Sequence, residues 1–108
     1  MTVHQSDSAL FDEDGLLRDP AQWSEGLAAS VADSIGVGPL SLEHWKIIRA
    51  LRGQFLKAGA APAMHLVCRE AGVERSRVND LFGYCLNAWR VSGLPNPGEE
   101  AKSYLAGM

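Results

Sequence analysis

The residues best suited to covalent chemistry in this sequence are its two cysteines, Cys68 and Cys85. Cys85 stands at the predicted start of a helix, where the positive end of the helix dipole lowers the pKa of a thiol. This position makes Cys85 the candidate reactive thiol. Cys68 is predicted to face the inner side of a helix pair, where a small apolar residue is needed. The sequence nevertheless favours both cysteines as packed residues without a chemical role.

Metal or cofactor chemistry is not favoured by the spacing of the other polar residues. His4, His44 and His65 have no partner at the spacing of zinc ligands, and the cysteines form no CxxC pair. The acidic run at residues 12–14 lacks the alternating oxygen ligands of a calcium-binding loop, so we interpret it as a solvated turn. We therefore expect no metal, no cofactor, no disulfide framework and no conventional enzymatic activity.

Residues 65–82 have the spacing of a helix-turn-helix, with Gly72 at the turn. Three polar side chains would lie on the exposed face of the second helix, where they could contact phosphates and base edges: Arg75, Arg77 and Asn79. Any compact helix pair with a glycine turn shows the same pattern, and its polar residues are then simply solvated. DNA binding is therefore one of two interpretations of this segment.

The hydrophobic pattern predicts a mainly α protein, a small orthogonal domain of about five helices with this helix-turn-helix-like centre. The Asp-Gly step at residues 14–15 predicts a short N-terminal turn or hairpin. Asp19 and Pro20 predict the start of a first helix, which would carry Trp23, Leu27 and Val31 on one side.

The later helices are delimited by capping residues and glycines. Ser41 predicts the start of the longest helix, which ends at Gly59. Short helices are predicted from Pro62, over 74–82, and over 84–92. Because Gly93 and the prolines after it cannot continue a helix, the C-terminal arm is predicted to be a loose tail or one marginal turn.

Length and composition fit one globular domain. The chain has 108 residues, of which 46% are hydrophobic and 21% charged, and it has no apolar stretch long enough to span a membrane. We predict a flexible N-terminus at 1–9, a single domain at 10–97 and a C-terminal arm at 98–108. The first twenty residues lack the pattern of a signal peptide, which predicts a cytoplasmic protein.

Charge is distributed unevenly along the chain. Residues 1–40 contain seven acidic residues and one basic residue, whereas residues 41–93 contain four acidic and eight basic residues. This asymmetry predicts charge complementarity within the molecule or an anionic partner for the basic part. The formal net charge of -3 argues against indiscriminate coating of nucleic acid.

Several segments together resemble the DsrC/TusE sulfur-relay family, which includes the gamma subunit of dissimilatory sulfite reductase. In chain order they are Phe11 to Pro20 with Trp23, Glu43-His44-Trp45 with Ile48-Arg49 and Leu51-Arg52, Gly59 with Ala61-Pro62, Leu81-Phe82, and Ala88 to Pro97. The resemblance implies a small helical protein with a mobile C-terminal arm. It also implies sulfur-relay or sulfite-reductase-type proteins as partners.

The sequence departs from this family at its cysteines. The resemblance implies a sulfur-carrying penultimate cysteine on the arm. In proteins that serve sulfite reductase, it implies a second cysteine directly before an Arg-x-x-Gly-Leu-Pro run. Here that second position is Trp89, and residues 86–108 contain no cysteine. Sulfur transfer needs a thiolate nucleophile, and this segment has none.

The sequence therefore predicts a non-catalytic regulatory or adaptor member of the family. It would bind sulfur-relay or sulfite-reductase partners without carrying sulfur on its arm. The predicted partner-binding residues are Trp89, Arg90, Gly93, Leu94 and Pro95, with Trp89 as an apolar anchor for the arm or for the partner. Two alternatives are a helix-turn-helix DNA-binding regulator and a sulfur carrier that uses Cys85.

Overall fold

The computed structural model describes residues 10–59 and 63–106, which form six α-helices and one turn of 3-10 helix. The helices are α1 (Glu25–Ser34), α2 (Leu42–Ala58), α3 (Met64–Ala71), α4 (Arg75–Phe82), α5 (Cys85–Val91) and α6 (Glu99–Ala106). The mainly α prediction is confirmed, with one helix more than expected. The predicted flexible N-terminus at 1–9 and the predicted helix start at Pro62 lie outside the described residues.

The predicted N-terminal turn is present and is closed by its own aspartate. The Asp12 carboxylate accepts hydrogen bonds from the backbone N–H groups of Asp14 and Leu16, at 2.9 and 3.0 Å. An isolated antiparallel bridge joins Phe11 to Leu17 across the turn. Leu16 and Leu17 are fully buried, so this short loop is anchored on the core.

The first α-helix begins later than predicted. Asp19 accepts a hydrogen bond from the backbone N–H of Ala21 and caps only the 3-10 turn Pro20–Gln22. The α-helix starts after Ser24, whose hydroxyl caps it. Trp23 lies between the two in an extended conformation, because its indole reaches across the molecule to α5. Local capping signals do not reveal a contact of that kind.

The central helix is α2, which packs against α3, α4 and α5. Ser41 caps its start and Gly59 ends it with a φ of 70°, as predicted. The core combines buried residues of all six helices with Leu16 and Leu94. Since the helices other than α2 have seven to ten residues, their stability comes from this shared apolar contact more than from their own propensity.

Residues 99–106 form the helix α6, which corrects the expectation of a loose tail or a single turn. α6 packs against α5 and buries Leu105, which is 2% exposed. An isolated helix of this length is marginal in water, so tertiary contact must hold it. The boundary between domain and arm at residues 97 and 98 stays a prediction.

His44 connects the start of α2 with the end of α4. Its Nδ1 accepts a hydrogen bond from the Ser41 backbone N–H at 2.9 Å, and its Nε2 lies 2.9 Å from the Leu81 carbonyl oxygen. Its ring meets Phe82 edge-on, with 4.9 Å between the ring centres. The neutral tautomer with the proton on Nε2 satisfies both bonds.

Replacing His44 with phenylalanine is expected to lower the free energy of unfolding by about 2 kcal/mol. The new ring keeps the volume and the contact with Phe82, but the Ser41 N–H and the Leu81 carbonyl lose their partners. Urea denaturation measures the change, and His65→Phe on the exposed face of α3 is the control. A loss no larger than that of the control would show that water replaces His44 at no cost.

Candidate functional site

Segments that are far apart in the sequence meet at one end of α5. We call this region the C-terminal junction; it comprises the turn at 12–15, residues 89–98 and α6. Arg90 Nε donates to the Asp14 carbonyl oxygen at 2.9 Å, and Lys102 Nζ donates to Asp14 Oδ2 at 2.6 Å. Asn96 donates to the Asp12 carboxylate at 3.4 Å. The acidic run at residues 12–14 thus binds Arg90, Asn96 and Lys102. This finding corrects the interpretation of the run as a solvated turn.

Asp12 is charged and well supplied with hydrogen-bond donors. Partial burial opposes its charge, but the N–H groups of Leu16 and Asp14, the Asn96 amide and the nearby Arg18 outweigh burial, so the pKa of Asp12 is lowered. A lowered carboxyl pKa means that the folded state favours the ionised form. The turn is therefore most stable when Asp12 carries its charge.

This shift makes the stability of the protein depend on pH in the acid range. The contribution of Asp12 is present above its ordinary pKa of 3.8 and is lost as the pH falls through the lower value of the folded state. Asp12→Asn keeps an oxygen that accepts the turn hydrogen bonds but does not titrate. We expect urea midpoints to fall between pH 5 and pH 2 more steeply in the wild type than in Asp12→Asn. Glu13→Gln, an exposed carboxylate of the same turn, should follow the wild type; equal slopes for wild type and Asp12→Asn would contradict the prediction.

Trp89 lies in the core of the junction and is 1% exposed. Its Nε1 donates to the Pro95 carbonyl oxygen at 2.8 Å, and its ring meets Phe55 edge-on at 6.0 Å between ring centres. The indole therefore holds the segment that follows α5 in place. In this conformation it offers no surface to a partner.

The other residues predicted to bind a partner divide into two groups. Gly93 and Leu94 are buried, whereas Arg90 and Pro95 are partly exposed. The Arg90 guanidinium also donates to Tyr84 and Asn87, at 3.1 and 2.9 Å. Most of these residues build the junction, and a role for them in binding a partner stays a prediction.

Trp23 and Arg52 close the C-terminal end of α5. Trp23 Nε1 donates to the Val91 carbonyl oxygen at 3.0 Å, and Arg52 donates to the Ser92 carbonyl oxygen at 2.9 Å. The Arg52 guanidinium also lies over the Trp23 ring, 4.2 Å from its centre. Both donors satisfy carbonyls that the end of a helix leaves unpaired. Sequence reasoning missed this pair, because nothing in the neighbourhood of either residue points to the other.

Both cysteines are buried; Cys85 is 2% exposed and Cys68 is 5% exposed. Burial raises the pKa of both thiols, and proximity to Cys68 raises that of Cys85 further. The lowered pKa predicted for Cys85 is therefore wrong. Loss of solvation of the buried Cys85 thiol outweighs the nearby positive charge of Arg75, which acts to lower its pKa. Sulfur carriage by Cys85 stays a prediction without an accessible thiolate to support it.

The helix pair α3 and α4 is joined at Gly72, which has a φ of 74°. The three residues proposed to contact nucleic acid are exposed on α4: Arg75, Arg77 and Asn79. The Arg77 guanidinium, however, is hydrogen-bonded to the Glu43 carboxylate and lies 3.9 Å from Asp80. These carboxylates already occupy the cation and would repel a phosphate. DNA binding gains no support from this face and stays a prediction.

An open groove of about 520 Å³ lies between the N-terminal turn and α1. Apolar side chains of Phe11, Val31 and Ile35 contribute to its lining, and Glu13 and Arg18 add charge. The groove borders the C-terminal junction through Asp12. The groove therefore provides accessible apolar surface beside the junction, in which Trp89 is buried.

No group of three potential metal ligands from His, Cys, Asp and Glu occurs within residues 10–59 and 63–106. In the same ranges, no helix is both long enough and apolar enough to cross a membrane.

The fold and the junction can be compared with known proteins. A family profile described as DsrC like protein matches residues 3–99. Sulfurtransferase TusE of Shigella dysenteriae is 29% identical over 106 residues, which cover 90% of this chain and 96% of that protein. TusE of Escherichia coli matches with the same identity and coverage.

Two solved structures share the fold. The oxidized gamma-subunit of the dissimilatory sulfite reductase, DsrC, from Archaeoglobus fulgidus has a TM-score of 0.69 and 34% identity, covering 82% of this chain and 89% of that one. A chain in the crystal structure of dissimilatory sulfite reductase I has a TM-score of 0.74 and 29% identity, covering 82% of this chain and 86% of that one. The protein is thus a small helical protein of the sulfur-relay class. It belongs to the DsrC-like protein family, as its motifs indicate.

Proposed function

We propose that this protein is a regulatory or adaptor member of the family, which binds a sulfur-relay or sulfite-reductase-type partner without carrying sulfur on its C-terminal segment. The observation that carries this proposal is the position of its thiols. Residues 86–108 contain no cysteine, and both existing cysteines are buried with raised pKa values. A relative named sulfurtransferase implies transfer chemistry that these thiols are poorly placed to perform.

The chemical requirement is strict. A carrier thiolate must attack the sulfane sulfur of a donor, and its persulfide must then reach the next acceptor. Attack needs both an ionised thiol and access for the donor. Cys68 and Cys85 lack access because they pack in the apolar core.

The binding half of the proposal is supported by the structures that this chain resembles. A relative that is the gamma-subunit of dissimilatory sulfite reductase shares 34% of its residues with this chain over most of both lengths. Two of the motif segments that carry the resemblance, Phe11 to Pro20 and Ala88 to Pro97, meet in the C-terminal junction, where hydrogen bonds join them. A protein that has the family fold but no carrier thiol on this segment is suited to blocking a partner's binding site or to holding the partner in a complex.

The sulfur chemistry gives the first test. After incubation with a cysteine desulfurase and cysteine, the intact mass of the protein is expected to show no stable gain of about 32 Da per added sulfur atom. A family member with a C-terminal cysteine is the positive control, and Cys85→Ser identifies any label on that residue. Substantial labelling that disappears in Cys85→Ser would overturn the proposal in favour of a carrier.

The second test measures binding directly. Fluorescently labelled DsrC is bound to its sulfite reductase, and labelled TusE is bound to its sulfur-relay partner. Unlabelled protein is then added to each complex, and it is expected to displace one label or to join its complex as an additional subunit. If neither complex responds at concentrations far above those of the labelled protein, the adaptor proposal is rejected.

A further inference from the structure

The helix α6 is attached to the domain by a small and chemically simple contact. Lys102 Nζ lies 2.6 Å from Asp14 Oδ2, and the Lys102 side chain is only 14% exposed. Three residues later, Leu105 is buried in the core at 2% exposure. Residues three or four apart lie on the same face of a helix, so Lys102 and Leu105 share the attached face with the half-buried Ala101.

The other side of α6 makes little contact with the domain. Glu100 and Ser103 are exposed, and Tyr104 is 55% exposed. Glu99, three residues before Lys102, is also exposed, and its carboxylate pairs with the Lys102 ammonium within α6, at 3.1 Å. The helix is tethered by the short segment 94–98, whose Pro95, Asn96 and Pro97 lie outside any helix. A tether of a few residues raises the local concentration of α6 at its site to the order of millimolar. A weak contact is therefore enough to keep α6 bound.

A helix held in this way can be displaced by a better ligand of the same kind. The surface beneath it presents the Asp14 carboxylate and the apolar site filled by Leu105. Hydrogen bonds to Asp14 and, within α6, to Glu99 raise the pKa of Lys102. A competing ligand must supply the same cation and the same leucine.

We propose that the surface beneath α6 is a docking site for an amphipathic helix of a partner protein, in which a lysine or arginine lies three residues before a leucine. The helix α6 competes with this partner helix for the site. The inference rests on the proposed function, because it assigns the partner's contact to the C-terminal junction. Binding of the partner helix releases α6. Competition from α6 in turn weakens the binding of any partner helix that lacks this pattern.

The first experiment asks whether α6 opens separately from the domain. Hydrogen exchange of the α6 backbone amides is expected to become at least about tenfold faster in Lys102→Gln and in Asp14→Asn, while exchange in α2 stays unchanged. Lys46→Gln, at an exposed lysine of α2, is the control and should leave α6 as it is. Exchange that rises equally in α2 and α6 would mean that α6 unfolds only with the whole domain, which would overturn the inference.

The second experiment supplies the helix from outside. The probe is a synthetic peptide of residues 97–108, and the receptor is the full chain with Lys102→Gln and Leu105→Ala, which leave the docking surface unaltered. Because a millimolar local concentration suffices to hold α6, the peptide is expected to bind this receptor with a Kd below about 1 mM. Chemical shifts of the Asp14 and Gly15 amides report the binding. Wild-type protein, whose site is occupied by α6, should bind at least about tenfold more weakly.

A peptide of the same sequence with Lys102→Glu provides the matched control. It is expected to lose at least about tenfold in affinity, because its carboxylate faces Asp14. Equal binding of the two peptides, or no binding of either to the opened receptor, would overturn the inference. These measurements use neither sulfur donors nor sulfite reductase. A negative result here therefore does not contradict the adaptor proposal. A negative result in the competition assay likewise does not contradict the presence of a docking site beneath α6.

Discussion

Gly93→Ala is expected to lower the free energy of unfolding by about 3 kcal/mol or more. Gly93 has a φ of 68°, a left-handed conformation that disfavours any residue with a Cβ atom. An added Cβ would also lie 2.0 Å from Cδ1 of Trp23 and 2.6 Å from its Cγ. Trp23 cannot move aside freely, because its indole is bound to the Val91 carbonyl and covered by Arg52.

A matched variant separates the two contributions. Gly72 has a φ of 74°, and nothing lies within 4 Å of a Cβ built on it. Gly72→Ala is therefore expected to lose only about 1–2 kcal/mol, the cost of the left-handed conformation alone. Chemical denaturation measures both variants. Equal losses would show that Trp23 yields to the new methyl group. In that case, replacing Trp23 with leucine should not reduce the stability that Gly93→Ala removes.

Trp89→Ala is expected to destabilise the fold by about 3–5 kcal/mol, the range found for removing a large buried aromatic side chain. Trp89 is almost fully buried and packs edge-on against Phe55. The substitution also leaves the Pro95 carbonyl oxygen without its indole donor. Thermal or urea denaturation of the intact protein measures the total loss.

Trp89→Phe separates packing from the hydrogen bond to Pro95. It retains most of the apolar volume and is expected to cost about 1–2 kcal/mol. Amide exchange of Leu94, Asn96 and Gly98 should rise in Trp89→Phe while α2 stays protected, because the hydrogen bond that is lost holds the segment after α5. A small loss of stability for Trp89→Ala, together with weaker binding of a partner, would instead identify Trp89 as a contact residue.

The local elements of this fold were predictable because their signals lie within a few residues of each other. Ser41 and Gly59 mark the ends of α2, and the structure places the caps at those residues. The Asp-Gly step marks the N-terminal turn, where Asp12 binds N–H groups two and four residues away. Family membership was also readable, since ordered short motifs survive where overall identity is low.

The start of α1 and the presence of α6 were not predictable in the same way. Trp23 leaves the helix to reach a carbonyl 68 residues further along the chain. The helix α6 depends on Lys102 meeting Asp14 across 88 residues. Neither pairing has a local signature, and an eight-residue segment does not form a stable helix by propensity alone.

The difference between what the sequence determines and what the tertiary structure determines is clearest at the thiols and at Gly93. The absence of cysteine from residues 86–108 follows from the amino-acid order alone, and with it the absence of a thiol nucleophile from that stretch. The raised pKa of Cys85 was decided by tertiary packing, because burial of the thiol outweighs the nearby positive charge of Arg75. Packing likewise decided that Gly93 admits no side chain, since the atom that excludes a Cβ belongs to Trp23, distant in the chain and adjacent only in the folded protein.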